Sequence, residues 1–264
     1  VSVRPDPSAA PDRTGFGIDI GGTGIKAAPV DLRTGETRGA PLTVPTPQPA
    51  TPEAVAAAAA GLVDRAGWTG PVGVTLPSVV RAGITHTAAN IAPSWLGVDA
   101  AHLFSRTLDD RPVRLLNDAD AAGLAEARFG AAAGHDGVVL MLTFGTGIGS
   151  ALLAAGVLVP NTELGHLMVD GVAAEHRASA VRRGRDQMSW PAWAAEVSRV
   201  LKEYERLLWP DLIVAGGGIS AEADRWLPLL TNRTPVVAAM LENTAGIVGA
   251  AMAAGPLRPS GTGH

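Results

Sequence analysis

Asn117 and Asp118 follow the apolar run Val113 to Leu116, so an amide and a carboxylate stand where a strand gives way to the next element. A carboxylate in that position can take the proton from an attacking hydroxyl. It can equally cap a helix, for which both residue types are suited. Three glycine-rich turns also follow apolar strands: Asp19-Ile20-Gly21-Gly22-Thr23-Gly24, Phe144 to Gly149 with Gly145, Thr146 and Gly147 inside it, and Gly216-Gly217-Gly218. Each lets backbone N–H groups approach an anion with no Cβ in the way. One such turn means little, but three in one chain point to phosphate. The cradle is of neither common kind. Lys26 sits on the second strand of a hairpin rather than at a helix start, and no Gly-x-Gly-x-x-Gly opens a dinucleotide site.

The elements that must hold these residues follow from hydrophobic spacing and turn signals. Phe16 to Ile20 reads as a strand, Ile25 to Val30 as its return, and Thr34-Gly35 as a further turn. Thr51-Pro52-Glu53 has the hydroxyl, proline and acid of a helix start, and Gly67 closes that helix. Val72 to Leu76 and Val113 to Leu116 read as buried strands, the second leading into a helix that ends at Gly130. The pattern then restarts: Val138 to Phe144 and Ser150 to Ala155 are strands flanking a glycine turn that repeats Gly22-Thr23-Gly24-Ile25. From Ser189 a helix carries Trp193, Val197, Leu201, Tyr204 and Leu208 on one face. Asp211 to Ala215 and Pro235 to Ala239 are strands, and Asn243 to Ala254 is a closing helix. The expectation is an α/β protein of two related halves facing a cleft. Residues 15–118 form a smaller N-terminal domain and 119–255 a larger one, with the helix at 243–254 packing back on the first. Residues 1–14 and 256–264, rich in Pro, Ser and Gly, read as flexible tails.

Composition excludes more than it selects. The 264 residues are 47% hydrophobic, enough for a substantial core, and the net charge of -4 suggests neither nucleic acid nor a membrane surface as partner. There are no cysteines, so disulfides and thiolate zinc sites are ruled out. No apolar run reaches the roughly 18 residues of a membrane span, and the N-terminus lacks the apolar core of a signal peptide. A cytoplasmic protein is expected.

The segments Gly17 to Lys26, Leu115 to Asp120, Leu142 to Gly149, Glu163-Leu164-Gly165-His166 and Leu212 to Gly218 together resemble the motif set of the ROK family (repressors, open-reading-frame proteins and sugar kinases). Glu175-His176-Arg177-Ala178-Ser179 follows His166 directly, with no cysteine-rich zinc loop between them. That feature resembles the polyphosphate-using glucokinases of the family. The resemblance implies the actin-like hexokinase fold, a cleft for glucose and the related mannose, and a phosphoryl donor that is inorganic polyphosphate, ATP or both, with Mg²⁺ and without zinc.

It also implies roles. Asp118 is the expected base for the sugar 6-hydroxyl. Asn90, Asn117, Glu163, His166 and Glu175 bind the sugar alongside it, and Ser78 is a further candidate with an equal reading as a turn residue. Asp19 is expected at the metal and donor phosphates. Gly21, Gly22, Thr23, Gly24 and Lys26 meet the transferred phosphate, Gly145, Thr146 and Gly147 its neighbour, and Gly217 and Gly218 an ATP site. A polyanion also needs positive charge, and Arg177, Arg182, Arg183 and Arg185 form the dense basic cluster near the sugar motifs. A solvated charged face explains that cluster equally well.

The resemblance favours a homodimer without requiring one. Three other readings compete. A sugar-responsive repressor needs a helix-turn-helix module before the first glycine turn, where only about 15 residues stand. A binding module without activity is expected to lack the base. A kinase for another sugar differs only in its pocket.

Overall fold

The computed structural model describes residues 14–89 and 91–255. Asn90 and the terminal segments 1–13 and 256–264 lie outside the described residues. The first sheet opens with β1 (Thr14–Ile20) and β2 (Gly24–Asp31), a hairpin whose register runs from Thr14 opposite Asp31 to Ile20 opposite Ile25. Thr14, read from the sequence as the last residue of the tail, belongs to β1, because it pairs with Asp31 at the end of β2. β3 (Leu42–Pro45) adds to β2, and α1 (Pro52–Arg65) carries the chain to β4 (Val72–Leu76), parallel to β1. A short hairpin, β5 (Val80–Arg81) and β6 (Ile84–Thr85), precedes α2 (Ala100–Thr107) and β7 (Val113–Asn117). The order is β3-β2-β1-β4-β7.

After α3 (Asp118–Phe129) the plan repeats. β8 (Val138–Phe144), β9 (Ile148–Ala154) and β10 (Val157–Val159) form an antiparallel meander. A small hairpin, β11 (Met168–Val169) and β12 (Val172–Ala173), leads into α4 (Ala174–Ala178), α5 (Ala180–Arg185) and the long α6 (Trp190–Leu208). β13 (Leu212–Gly216) and β14 (Val236–Ala238) then run parallel to β8, and α7 (Ala245–Ala254) closes the chain. The second order, β10-β9-β8-β13-β14, matches the first strand for strand.

Local chemistry sets the helix ends. The Thr51 hydroxyl accepts from the Ala54 N–H at the start of α1, with Pro52 in the first turn. α1 stops at Arg65, and Gly67, at φ 62°, supplies the left-handed residue beyond its end. Ser189 caps α6 in the same way, and Trp193, Val197, Leu201 and Tyr204 are its buried stripe. Leu208, expected on that stripe, ends the helix half-exposed.

The two helices that follow the last strand of each sheet cross over. α3 packs on β8 and β9 of the second sheet, whereas α7 packs on β1, β2 and β4 of the first, and the two helices pack on each other. Glycines permit this close approach. A Cβ on Gly17 would lie 1.9 Å from the Ile247 carbonyl oxygen, one on Gly73 1.8 Å from that of Ala250, and one on Gly249 1.9 Å from that of Ala121. These contacts seat α7 against the first sheet and against α3.

Candidate active site

Between the sheets lies a cavity of about 760 Å³ lined from both sides. The first sheet contributes Gly21, Gly22 and Thr23, the segment from Pro77 to Ser78, Thr87 to Ala89, and Asn117. α3 contributes Asp118. The second half contributes Thr143, the turn from Gly145 to Ser150, Glu163, His166, Glu175, His176 and Gly217. Asp19, Gly24, Lys26 and Gly218 are not among the lining residues, and neither is any of the four clustered arginines.

Asn117 is the cap of α3. Its Oδ1 accepts from the N–H groups of Ala119 (2.8 Å) and Asp120 (3.1 Å), and its Nδ2 donates to the Ser78 carbonyl at 3.3 Å. This frees Asp118, the first helical residue, from the capping role. One of its oxygens accepts from Ala119 N–H at 2.8 Å, which fixes the carboxyl at the cavity wall. Burial, and next the charge of Asp19, push Asp118 up to about 7, with Glu163 adding to the rise. A carboxyl tuned near neutrality is matched to general-base work. The Ser78 hydroxyl donates to the Thr87 carbonyl at 2.7 Å, so its bond in this structure is to the chain itself.

Asp19 sits behind the first glycine turn. The Thr75 hydroxyl donates to it at 2.8 Å, and Lys26 is its partner across the β1–β2 hairpin. A Cβ on Gly246 would fall 2.7 Å from its carboxyl, so Asp19 lies against the first turn of α7, where the helix dipole favours an anion. Burial nevertheless raises its pKa, opposed by the Thr75 bond and by Lys26. The turn itself is held from outside: Thr46 Oγ1 donates to the Gly21 carbonyl at 2.6 Å, and the Thr46 N–H to that of Thr23 at 3.1 Å. The second turn has a matching brace, the Val181 N–H donating to the Gly145 carbonyl at 3.1 Å.

Glu163, His166 and Glu175, expected from the sequence to face the sugar, come together on the opposite wall. Glu175 lies between two histidines, 3.7 Å from His166 Nε2 and 3.8 Å from His176 Nε2. Its other oxygen would be 2.3 Å from a Cβ on Gly147, so Gly147 must lack a side chain for Glu175 to reach the turn. Burial raises the Glu163 pKa, with His166 opposing and Glu175 reinforcing. The turn carrying Glu163 and His166 is held by Tyr204, whose hydroxyl donates to the Leu164 carbonyl at 2.8 Å.

The arginines expected to line a donor path make other contacts. Arg177 donates to Glu196 at 2.8 Å and to the Val169 carbonyl at 3.0 Å. Arg182 reaches the Arg177 carbonyl and Asp186, and Arg185 pairs with Asp186 at 2.7 Å. Arg183 stacks on Trp190 with its guanidinium 3.4 Å from the ring centre, and Arg225 lies over the same ring at 4.8 Å.

Thr46, Thr75, Thr143, Ser150 and His176 have site positions that the sequence reading does not assign. Thr75 faces Asp19 through the parallel register of β1 and β4, a pairing that no local pattern announces. His176 was within reach, since it stands inside the segment that carries the subfamily resemblance.

A cleft between two sheets of identical strand order, with a tuned carboxylate at a helix start and glycine turns on both sides, defines a phosphotransferase of the actin-like fold. The family model described as ROK family matches residues 15–184, and this chain belongs to that family. It is 55% identical over 247 residues to the polyphosphate glucokinase of Mycobacterium tuberculosis, covering 94% of this chain and 93% of that one. Among solved structures, the inorganic polyphosphate/ATP-glucomannokinase of Arthrobacter sp. strain KM is 52% identical with a TM-score of 0.86, covering 90% of this chain and 97% of that one. The ROK family glucokinase of Streptomyces griseus, in complex with glucose and AMPPNP, is 25% identical with a TM-score of 0.78 over 91% and 99% of the two chains.

Proposed function

We propose that this chain is a glucokinase that transfers a phosphoryl group from inorganic polyphosphate or ATP to the 6-hydroxyl of glucose, with mannose as a second acceptor. The observation that carries this reading is Asp118, tuned to about 7 in a cavity that has glycine turns on both walls and hexose-type hydrogen-bonding groups beside them. The identity to a polyphosphate glucokinase over nearly the whole chain supports the same donor and acceptor.

In this reading Asn117, Glu163, His166 and Glu175 bind the ring hydroxyls, with Asn90 assigned on the family pattern alone. Asp118 takes the proton from the 6-hydroxyl as that oxygen attacks the terminal phosphorus of the donor. The backbone N–H groups of Gly21, Gly22 and Thr23 and of Gly145, Thr146 and Gly147 cradle the transferred and neighbouring phosphates. Lys26, Gly24, Gly217 and Gly218 support that track from behind or at its end. Catalysis is then positioning and charge stabilisation, with no covalent enzyme intermediate. Closure of the cleft excludes water as a competing acceptor.

The described residues contain no cluster of three or more metal-ligating side chains. Mg²⁺ suits such a site, because it takes one or two carboxylates and completes its shell with water and phosphate oxygens. Asp19 would hold it, directly or through water, and the ion would offset the negative charge of the donor. The smaller domain is assigned to residues 15–118 and the larger to 119–255, with α7 returning to the first. Among the described residues no helix is long and apolar enough to cross a membrane, and a kinase drawing on these donors is assigned to the cytoplasm.

The test is the rate of glucose 6-phosphate formation with Mg²⁺ and either ATP or long-chain polyphosphate as sole donor, on repurified protein. Turnover with both donors is expected. Turnover with ATP alone removes polyphosphate from the proposal, and none with either overturns it.

A further inference from the structure

The loop between β10 and the Glu163 turn is tied down at three points. Ser150, on β9, donates to the Thr162 carbonyl at 2.6 Å and accepts from the Leu164 N–H at 3.0 Å. Asp120, buried on α3, accepts from the Asn161 N–H at 2.7 Å. The third tie crosses the cleft. The Asn161 side chain accepts from the Val80 N–H at 2.9 Å and donates to the Val80 carbonyl at 3.0 Å. It thereby pairs with one residue of β5 as a neighbouring strand would. Val80 is two residues beyond Ser78, whose carbonyl takes the Asn117 amide, so this tie joins the Asp118 wall of the cavity to the Glu163 wall.

Two features mark the arrangement as more than loop packing. Asn161 has φ 60°, a left-handed conformation that asparagine tolerates better than most residues. Asp120 Oδ1 is buried with no hydrogen-bond partner among the described residues, so the bond from the Asn161 N–H to Oδ2 is what holds this buried carboxyl in place.

We propose that Asn161 is a latch between the two halves of the cleft and that, with Asp120 anchoring it, it positions Glu163 for the sugar. Asn161 is a positioning residue: it acts through Glu163, and the proposal rests on Glu163 binding the hexose. Loss of the latch lets the Glu163 wall draw back from Asn117 and Asp118. Sugar affinity then suffers, while the glycine turns that hold the donor are left in place.

Asn161→Gly is the informative variant, because glycine keeps the left-handed backbone and removes only the amide. The glucose KM is expected to rise about tenfold, the size of one or two neutral hydrogen bonds, with the donor KM within about twofold of wild type. Asp120→Ala is expected to raise the glucose KM in the same way. Asp120→Asn, which keeps an oxygen for the Asn161 N–H, should restore it toward wild type. A purely structural role would lower the melting temperature and leave both KM values of the folded protein unchanged. That result, or equal rises in the KM of sugar and donor, overturns the latch. Wild-type protein is assayed alongside. An inactive wild type overturns the kinase reading and the latch with it, whereas an active wild type beside variants of unchanged glucose KM overturns the latch alone.

Discussion

The β1–β2 and β8–β9 hairpins are built alike but carry different side chains at one register position. In each, a strand of seven residues meets its return through a three-residue turn, Gly21 to Thr23 in one and Gly145 to Gly147 in the other. Each turn is braced by a hydrogen bond from outside the hairpin, from Thr46 or from Val181. The difference lies one residue before the last of the first strand. There the first hairpin has Asp19, paired across the strands with Lys26, and the second has Thr143, paired with Gly149. A Cβ on Gly149 would lie 2.5 Å from Thr143 Oγ1, so the second hairpin has no room for a lysine at the matching place. Repetition supplied the cradle twice, and side chains at one register position made one copy acidic. The cleft is asymmetric for that reason: a carboxylate and a lysine sit beneath the first turn, whereas Glu163, His166 and Glu175 gather beside the second, the groups proposed above to hold the sugar.

The largest effect should come from the carboxylate that neither hairpin supplies. Asp118→Asn is expected to lower kcat about 10³-fold with little change in glucose KM, read by steady-state kinetics. Wild-type kcat/KM should fall about tenfold per pH unit below about 7, because the base must be ionised. A flat profile from pH 6 to 8 would remove Asp118 as the base. The same shift has a stability consequence. Its folded pKa lies above the unfolded value, so Asp118 favours folding at low pH, and that contribution is lost as pH rises from about 4 through about 7. Asp118→Asn cannot ionise. At pH 8 it should therefore be more stable than wild type by about 2 kcal/mol, after discounting for partial solvent access, as measured by denaturant unfolding.

Asp19→Thr makes the first hairpin resemble the second. Turnover should fall about 10²-fold, the requirement for Mg²⁺ should shift to higher concentration, and the glucose KM should hold. Undiminished turnover would mean that the difference between the hairpins is not what places the charge. Gly147→Ala probes the other copy. Its methyl group would displace the Glu175 carboxylate, so glucose KM should rise about tenfold with a smaller effect on the donor.

The strands of the two glycine-turn hairpins, the starts of α1, α3 and α6, and the repeat were legible in the sequence because they depend on local signals. Thr51 and Pro52 announce α1, Gly67 its end, and the two glycine turns reveal the duplication. Asp118, Asn117, Glu163, His166 and Glu175 were legible as a set through the family motifs, and the structure brings these five around one cavity. Thr75, Thr46 and Asn161 were not legible, since each acts through a partner at least 23 residues away that only sheet register or loop closure supplies. α2 lies between short elements and went unassigned. Its Asp99 cap accepts from the His102 N–H at 3.0 Å, a start signal present in the sequence but without a long apolar stripe to support it.

The arginine cluster shows where residue type alone misleads. Charge density suggested four equivalent donors to a polyanion, but Arg177 and Arg185 are already committed to Glu196 and Asp186. Arg183 differs, because its guanidinium is held on Trp190 rather than by a carboxylate. Its helix, α5, also carries Val181, which braces the second glycine turn. Arg183 is thus the one of the four arginines whose guanidinium has no carboxylate partner among the described residues, which leaves it for a donor chain extending past Gly145. Arg183→Ala should therefore raise the KM for long-chain polyphosphate about threefold, the modest effect of a partly exposed charge contact, and the rise should shrink with added salt. The KM for ATP should not change, since a nucleotide ends before the track does. An equal rise for both donors would place Arg183 at the shared phosphates and return the extended donor path to Arg182.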